Sequence, residues 1–125
     1  MAVKAYRGSY SWEEARTKCS QDGTGGTKAE LAAPHSSTEN EWFVDKAAAL
    51  GLSTFWLGIT DTELEGTWKN QHGLSQSFFN WWPGQPDNAA GNQDCAATGG
   101  TWGYKWDDGT CTYPLHLLCT HIEGT

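Results

Sequence analysis

Basic residues are scarce in this chain: its 125 residues include eight Lys and Arg against 15 Asp and Glu, a formal net charge of -7. Nucleic acids and anionic membranes reward clustered Lys and Arg, so this balance argues against both as partners and suits a cationic ligand. No apolar run is long enough to cross a membrane, and no signal peptide is visible. If the protein is secreted, Met1 replaces a leader that has been removed. The length fits one domain, 1–125.

Catalytic motifs are missing as well. Asp107 and Asp108 are adjacent, so their side chains tend to point apart rather than flank a bond as the paired carboxylates of a glycosidase do. None of the four scattered histidines lies in a recognisable nucleophile motif: His35, His72, His116 and His121. We therefore expect no enzymatic activity.

The cysteines include no CxxC pair, which is the close spacing that a structural zinc site needs. In a small, loop-rich chain, four cysteines favour two disulfides and an oxidising, extracellular compartment, with zinc as the rival interpretation. Spacing alone leaves three pairings open among Cys19, Cys95, Cys111 and Cys119.

Helix signals are concentrated in the first half. The segment Ser11–Glu14 is a capping box that opens a helix whose buried face carries Trp12, Ala15 and Cys19. A flexible, glycine-rich loop is expected over 21–28.

A second helix is predicted to begin at Thr38, with Glu41 three residues later as in a capping box. Its buried side carries three residues at helical spacing: Phe43, Ala47 and Leu50. Gly51, just after the last of them, is placed to end the helix.

The second half contains short apolar runs and many turn residues. Strands are predicted at 53–60, 66–70, 95–98 and 115–122. A long loop region of about 71–108 is rich in aromatics, and a loop that long in a compact domain is usually functional. Two helices followed by short strands indicate an α+β domain.

Read in order, these landmarks resemble the C-type lectin-like domain in its short form. That fold has two helices flanking short antiparallel sheets and a long calcium-binding loop. The resemblance spans about residues 6–122 and is carried by YSWEEARTKC, LAAPHSSTENEWF, FWLGITDTELEGTWKN and NWWPGQPDN, followed by Asp94-Cys95, Trp106-Asp107-Asp108, Cys111 and Leu118-Cys119. It implies the disulfide pairing Cys19–Cys119 and Cys95–Cys111.

Two oxygen ligands of the kind that calcium takes, Gln85 and Asp87, flank Pro86. The resemblance implies a cis bond before this proline, which turns both oxygens toward one cation. In the family, further ligands come from an acidic residue two before the next cysteine and from an Asn-Asp pair after the later tryptophan. The implied primary calcium ligands are Gln85, Asp87, Asp107 and Asp108, with Gln93 as a tentative addition.

Two of these positions depart from the family pattern: Gln93 replaces an expected glutamate, and Asp107 replaces an expected asparagine. One carboxylate is lost and one is gained, so we infer that calcium binding survives. The alternative is that Gln93 marks a decayed, calcium-independent site. Taken alone, 82–87 is also consistent with a rigid turn.

In the family, two neighbouring sugar hydroxyls coordinate the calcium directly. The order Gln85-Pro86-Asp87 resembles the galactose-type members and implies glycans with terminal galactose or GalNAc as partners. Those members commonly carry an aromatic residue just after the motif, whereas 89–91 read Ala-Ala-Gly here. An ionised Asp107 can only accept hydrogen bonds from the sugar hydroxyls, whereas the family's Asn would also donate one. Gln93 can restore that donor.

Other aromatics could supply the stacking surface. Trp81 is expected to pack beneath the loop and Trp106 in the core, and packing is also the commoner role for Trp82. The candidate sugar-binding residues are Gln85, Asp87, Gln93, Asp107, Trp82 and Trp102.

A second cation is suggested by Asp61, Glu65 and Asp94, which match positions of an auxiliary calcium site in some relatives. A solvated acidic turn is the alternative.

The resemblance implies a secreted, calcium-dependent lectin that recognises microbial or cell-surface glycans, as in innate immunity. One shallow site binds weakly, so several copies, for example in a homo-oligomer, would supply avidity. The main alternative is a calcium-independent protein-binding module on the same fold. Ice or mineral binding is a third, although the chain has no regular Thr-rich array.

Overall fold

The computed structural model describes residues 2–23, 27–64, 66–71, 73–84, 94–100 and 103–123. Within these residues, the elements in chain order are β1 Ala2–Tyr10, α1 Trp12–Asp22, β2 Thr27–Leu31, α2 Ser37–Ala49, β3 Phe55–Thr60, β4 Lys69–Asn70, β5 Cys95–Thr98, β6 Trp106–Gly109 and β7 Leu115–Glu123. In this part of the chain, no helix is both long and apolar enough to cross a membrane.

Helix α1 begins as its sequence predicts. The Ser11 hydroxyl accepts a hydrogen bond from the Glu14 backbone N–H at 3.2 Å, and the Glu14 carboxylate accepts one from the Ser11 N–H at 2.9 Å. The capping box is therefore confirmed. The Trp12 indole N–H donates to the Leu57 carbonyl at 2.7 Å, which ties the start of α1 to β3.

Helix α2 begins at Ser37, one residue before the predicted start at Thr38. Its N-cap is Ser36, whose hydroxyl accepts from the Glu39 N–H at 3.1 Å. The assignment of Thr38 as the first residue was wrong because the spacing Ser/Thr-x-x-Glu occurs twice in this segment.

The end of α2 also differs from the prediction. Leu50 is 41% exposed, whereas Leu52 is 3% exposed. Gly51 takes a positive φ of 64°, its N–H donates to Ala48, and the Leu52 N–H donates to the Ala47 carbonyl at 3.0 Å. This is a Schellman ending, in which the residue after the glycine turns back onto the helix. Leu52 therefore takes the core position predicted for Leu50.

The strands form one mixed sheet with the order β1-β7-β3-β5-β6; in addition, β2 pairs with β7 and β4 with β3. Strand β3 runs antiparallel to β5 but parallel to β7. The expectation of antiparallel sheets was therefore incomplete.

The predicted strand positions are partly correct. Strand β5 has the predicted bounds, and β3, β4 and β7 overlap their predicted ranges. Strand β1 was not predicted, β2 begins inside the predicted loop 21–28, and β6 lies inside the long loop region. The sequence of β6, Trp-Asp-Asp-Gly, is rich in residues depleted from strands, and its pairing with β5 overrides that preference.

The core has two parts, one on each face of the sheet, because side chains alternate along a strand. In β3, Trp56 packs with α1, whereas Phe55 and Leu57 pack with the buried residues of α2. The face that carries α2 also receives the aromatic residues of the long loop region.

Both disulfides have the pairing implied by the resemblance. Cys19–Cys119 joins α1 to β7 across a sequence separation of 100, and Cys95–Cys111 joins β5 to the turn after β6 across a separation of 16.

Polar groups at the end of α1 connect it to the terminal strands. The Tyr6 hydroxyl donates to Asp22, and His121 Nε2 lies 2.6 Å from the second carboxylate oxygen of Asp22. The Tyr6 hydrogen bond, assisted by His121 and Lys4, holds the pKa of Asp22 below its usual value. Two ammonium groups also lie over the Tyr6 ring, with Lys4 at 5.0 Å and Lys18 at 4.8 Å from its centroid.

Candidate functional site

Several predicted site residues lie outside the described part of the chain. They are Gln85, Asp87 and Gln93 of the primary site, Glu65 of the auxiliary site, and Trp102. The roles assigned to them stay predictions. The structure does describe the chain on both sides of this loop and the strand that carries the remaining ligands.

An aromatic cluster supports the entry to the loop. The Trp81 ring centroid lies 4.8 Å from that of Trp68, 5.7 Å from that of Trp106 and 6.1 Å from that of Phe79. Trp106 is fully buried, as predicted, and Trp81 packs against the core. These contacts fix the chain just before Gln85. The predicted contact of Trp81 with the loop lies outside the described residues.

Backbone hydrogen bonds attach the same segment to β6. The Trp106 N–H donates to the Asn80 carbonyl at 2.8 Å, and the Trp82 N–H donates to the Trp106 carbonyl at 2.8 Å. Residues 80–82 therefore run parallel to β6, with Trp81 opposite Trp106. The sheet gains a short extra pairing at its edge, next to the two aspartates of β6.

Side chains strengthen this attachment. The Asn80 amide donates to the Tyr104 carbonyl at 2.9 Å and accepts from the Lys105 ammonium at 3.1 Å. Neither Asn80 nor Lys105 was predicted as a site residue. Lys105 directly precedes β6 and is two residues from Asp107, so predicting an extended backbone from Lys105 onward would have placed the two on one face.

The two aspartates of β6 have different surroundings. Asp108 pairs with Ala96 and is 1% exposed, whereas Asp107 pairs with Ala97 and is partly exposed. Strand alternation directs their Cα–Cβ bonds to opposite sides of β6. This agrees with the expectation that they do not flank a bond as catalytic carboxylates would.

Two of the three residues predicted to bind an auxiliary cation, Asp61 and Asp94, lie side by side in the structure. The Asp61 N–H donates to the Asp94 carbonyl at 3.0 Å, so the two residues are adjacent. The Asp61 carboxylate is buried and accepts from the Gly66 N–H at 2.9 Å. Asp94 Oδ1 is buried and has no hydrogen-bond partner within the described residues. A buried carboxylate oxygen of this kind fits a cation ligand.

The described ranges contain no group of three or more His, Cys, Asp or Glu residues arranged to hold a metal ion. Each proposed calcium site therefore combines residues from the described part of the chain with residues outside it, which are Gln85, Asp87 and Gln93 for the primary site and Glu65 for the auxiliary one.

Trp82 differs from Trp81 and Trp106. It is 48% exposed, and no ring contact involves it in the described part of the chain. Trp82 was expected to pack either in the core or against the loop. Packing in the core is wrong, because alternation turns Trp82 away from the cluster that holds Trp81. Packing against the loop stays a prediction, because residues 85–93 lie outside the described residues.

Two histidines have structural contacts. His116 Nδ1 accepts from the Gly8 N–H at 2.9 Å, and His121 contacts Asp22. Both contacts lie on β1, β7 and α1, away from the two aspartates of β6.

Comparison with known proteins defines the family. Residues 8–121 match the family described as "Lectin C-type domain". Perlucin from Haliotis laevigata is 34% identical over 94 residues, covering 74% of this chain and 61% of perlucin. A C-type lectin from Cerberus rynchops is 30% identical over 112 residues, covering 89% of this chain and 70% of that protein.

A solved structure supports the same fold. C-type lectin CEL-I from Cucumaria echinata superimposes with a TM-score of 0.84 at 21% identity, covering 97% of this chain and 89% of that one. The lectin family is one of non-enzymatic domains, which confirms the expectation of no catalysis. The chain belongs to the C-type lectin domain family.

Proposed function

We propose that this chain is a calcium-dependent lectin, a single domain over 1–125 that binds carbohydrate through the loop following Gly84. The observation that carries the proposal is the attachment of Trp82 to Trp106, because it places the loop entrance beside Asp107 and Asp108. Gln85 is three residues farther on, which an extended chain spans in at most about 11 Å.

The proposed primary site has only oxygen ligands, as calcium prefers. They are Gln85, Asp87, Asp107 and Asp108, with Gln93 as a further ligand. When bound, calcium would leave part of its coordination shell to two neighbouring sugar hydroxyls. Asp107 would accept hydrogen bonds from those hydroxyls, and Gln93 would donate.

The proposed sugars are galactose and GalNAc at glycan termini. Support comes from the order Gln85-Pro86-Asp87, since exchanging acid and amide exchanges acceptor and donor positions around the metal. Because no aromatic residue follows in 89–91, we expect modest selectivity for galactose over mannose.

An auxiliary calcium is proposed at Asp61, Glu65 and Asp94. The buried Oδ1 of Asp94 and the backbone hydrogen bond between Asp61 and Asp94 support it. A cation there would offset the cost of burying the two carboxylates.

We place the protein outside the cell, because two disulfides favour an oxidising compartment. Recognition of microbial or cell-surface glycans in innate immunity is the proposed setting. A homo-oligomer would raise avidity by presenting several weak sites together.

The test is retention on galactose–agarose in the presence of calcium and release by EDTA. Asp107→Asn and Asp108→Asn, measured separately, should each weaken calcium binding at least about tenfold, because each removes a carboxylate from the ion's shell. Asp45→Asn, on an exposed position of α2, is the matched control and should bind as the wild type does. At saturating calcium, an unchanged sugar affinity for Asp107→Asn would reject its direct contact with sugar.

A second candidate is a calcium-independent protein-binding module, favoured by the neutral Gln93 at the family's glutamate position. It predicts a folded protein whose melting temperature calcium does not change and which galactose–agarose does not retain. Calorimetry that detects neither calcium nor sugar binding would establish this candidate over the lectin.

A further inference from the structure

The pairing of residues 80–82 with β6 produces two rows of side chains on opposite faces. Trp81 and Trp106 are in contact on the inner face. Asn80 and Lys105, one residue back on each strand, meet through a 3.1 Å hydrogen bond. The pair that follows Trp81 and Trp106 is Trp82 and Asp107. Because side chains alternate along the chain, this pair lies on the same face as Asn80 and Lys105.

We call these four residues the outer row: Asn80, Trp82, Lys105 and Asp107. Trp82 is 48% exposed, although burying an indole is among the larger apolar contributions available to a small domain. Its backbone is fixed by the hydrogen bond to Trp106, so the position of the indole along the strand is set by the fold.

Polar groups of the outer row can contact a ligand beside the indole. Lys105 has three N–H donors, and Asn80 accepts from one of them. Asp107 accepts only, so a ligand along this row meets a donor at one end and an acceptor at the other. An apolar surface with a few placed polar groups is the usual composition of a small-ligand site.

We propose that the outer row binds a second sugar residue, linked to the one held at the proposed calcium site. This inference rests on the proposed function. The second sugar stacks its apolar C–H face on Trp82 and accepts a hydrogen bond from Lys105. Asp107 is shared by the two positions, because it belongs both to the outer row and to the proposed calcium ligands. The ligand class is therefore a disaccharide or longer glycan with a terminal galactose.

The experiment compares methyl β-galactoside with lactose by titration calorimetry at saturating calcium. For the wild type, we expect lactose to bind about tenfold more tightly, equivalent to about 1.4 kcal/mol. In Trp82→Ala, this ratio should fall to about one, and Trp82→Phe should keep part of it. In Lys105→Ala, it should fall by about threefold.

Phe79→Ala is the matched control, because Phe79 is 40% exposed on the same segment but stacks on the inner-face Trp81. It should keep the ratio of the wild type. Equal affinity of the wild type for both sugars, or an equal loss for both in Trp82→Ala, would overturn the outer-row site while leaving the calcium site standing. Calcium-independent behaviour or absence of binding for both sugars would instead overturn the proposed function and this inference with it.

Discussion

The support of the loop by Trp81 gives a quantitative prediction. Trp81 makes three ring contacts, with Trp68, Trp106 and Phe79. Such contacts contribute about 0.5–1.5 kcal/mol each beyond the area they bury. Leucine keeps part of the apolar area but none of the ring geometry, so Trp81→Leu should lower the free energy of unfolding by about 2–3 kcal/mol.

The neighbouring indole supplies the control. Trp82 is 48% exposed and has no ring contact in the described ranges, so Trp82→Leu should cost less than about 1 kcal/mol. Urea titration of the oxidised protein would measure both values. Thermal melting should show a difference of about 8 °C between the two variants.

The same variant should also affect metal binding. Because Trp81 fixes the chain before Gln85, Trp81→Leu should weaken calcium affinity several-fold even at temperatures where the protein stays folded. Calorimetry with calcium tests this expectation. Equal stability losses for the two tryptophan variants would refute the argument, because they would mean that the ring contacts contribute nothing beyond general apolar surface.

Two further predictions concern stability. Hydrogen bonding from Tyr6 lowers the pKa of Asp22 in the folded protein. The ionised Asp22 therefore stabilises the fold above the usual aspartate pKa of about 3.9, and this stabilisation is lost as the pH falls through the lower pKa of the folded state. Asp22→Asn should therefore cost about 1–2 kcal/mol near pH 7 in urea titrations and much less near pH 2, and a cost independent of pH would contradict this account. For the disulfides, the chain-entropy model gives about 4.7 kcal/mol for a closed loop of about 100 residues and about 3 kcal/mol for one of about 15. The double Ser variant of Cys19 and Cys119 should thus melt below that of Cys95 and Cys111, and the reverse order would show that strain or residual structure dominates.

Local signals predicted those elements whose determinants are close in sequence. The start of α1 needs only Ser11 and Glu14, and the structure has both hydrogen bonds of that capping box. Strand β5 is a short apolar run that begins at Cys95, and its predicted bounds are those observed. The disulfide pairing was implied by the family resemblance, since spacing left the alternatives open.

The ends of α2 show why boundaries are harder. Two capping boxes compete within six residues, and helix propensity does not choose between Ser36 and Thr38. At the other end, Leu50 and Leu52 flank Gly51, and helical periodicity alone selects the wrong leucine. The Schellman ending reverses the chain at the glycine, so the residue after it reaches the core.

The site itself depends on a register that no local pattern contains. The sequence motifs identify Gln85, Asp87 and the aspartates of β6 as candidate ligands. Which side chains lie beside the aspartates of β6, however, follows from the two backbone hydrogen bonds that Trp106 makes with residues 80 and 82. A shift of one residue in that pairing would move Trp82 to the inner face and Trp81 to solvent. If the proposed sites bind as inferred, two chains with the same Gln-Pro-Asp motif would differ in glycan preference through Trp82 and Lys105. The outer row would then select the length of the ligand, and the loop would select the terminal sugar.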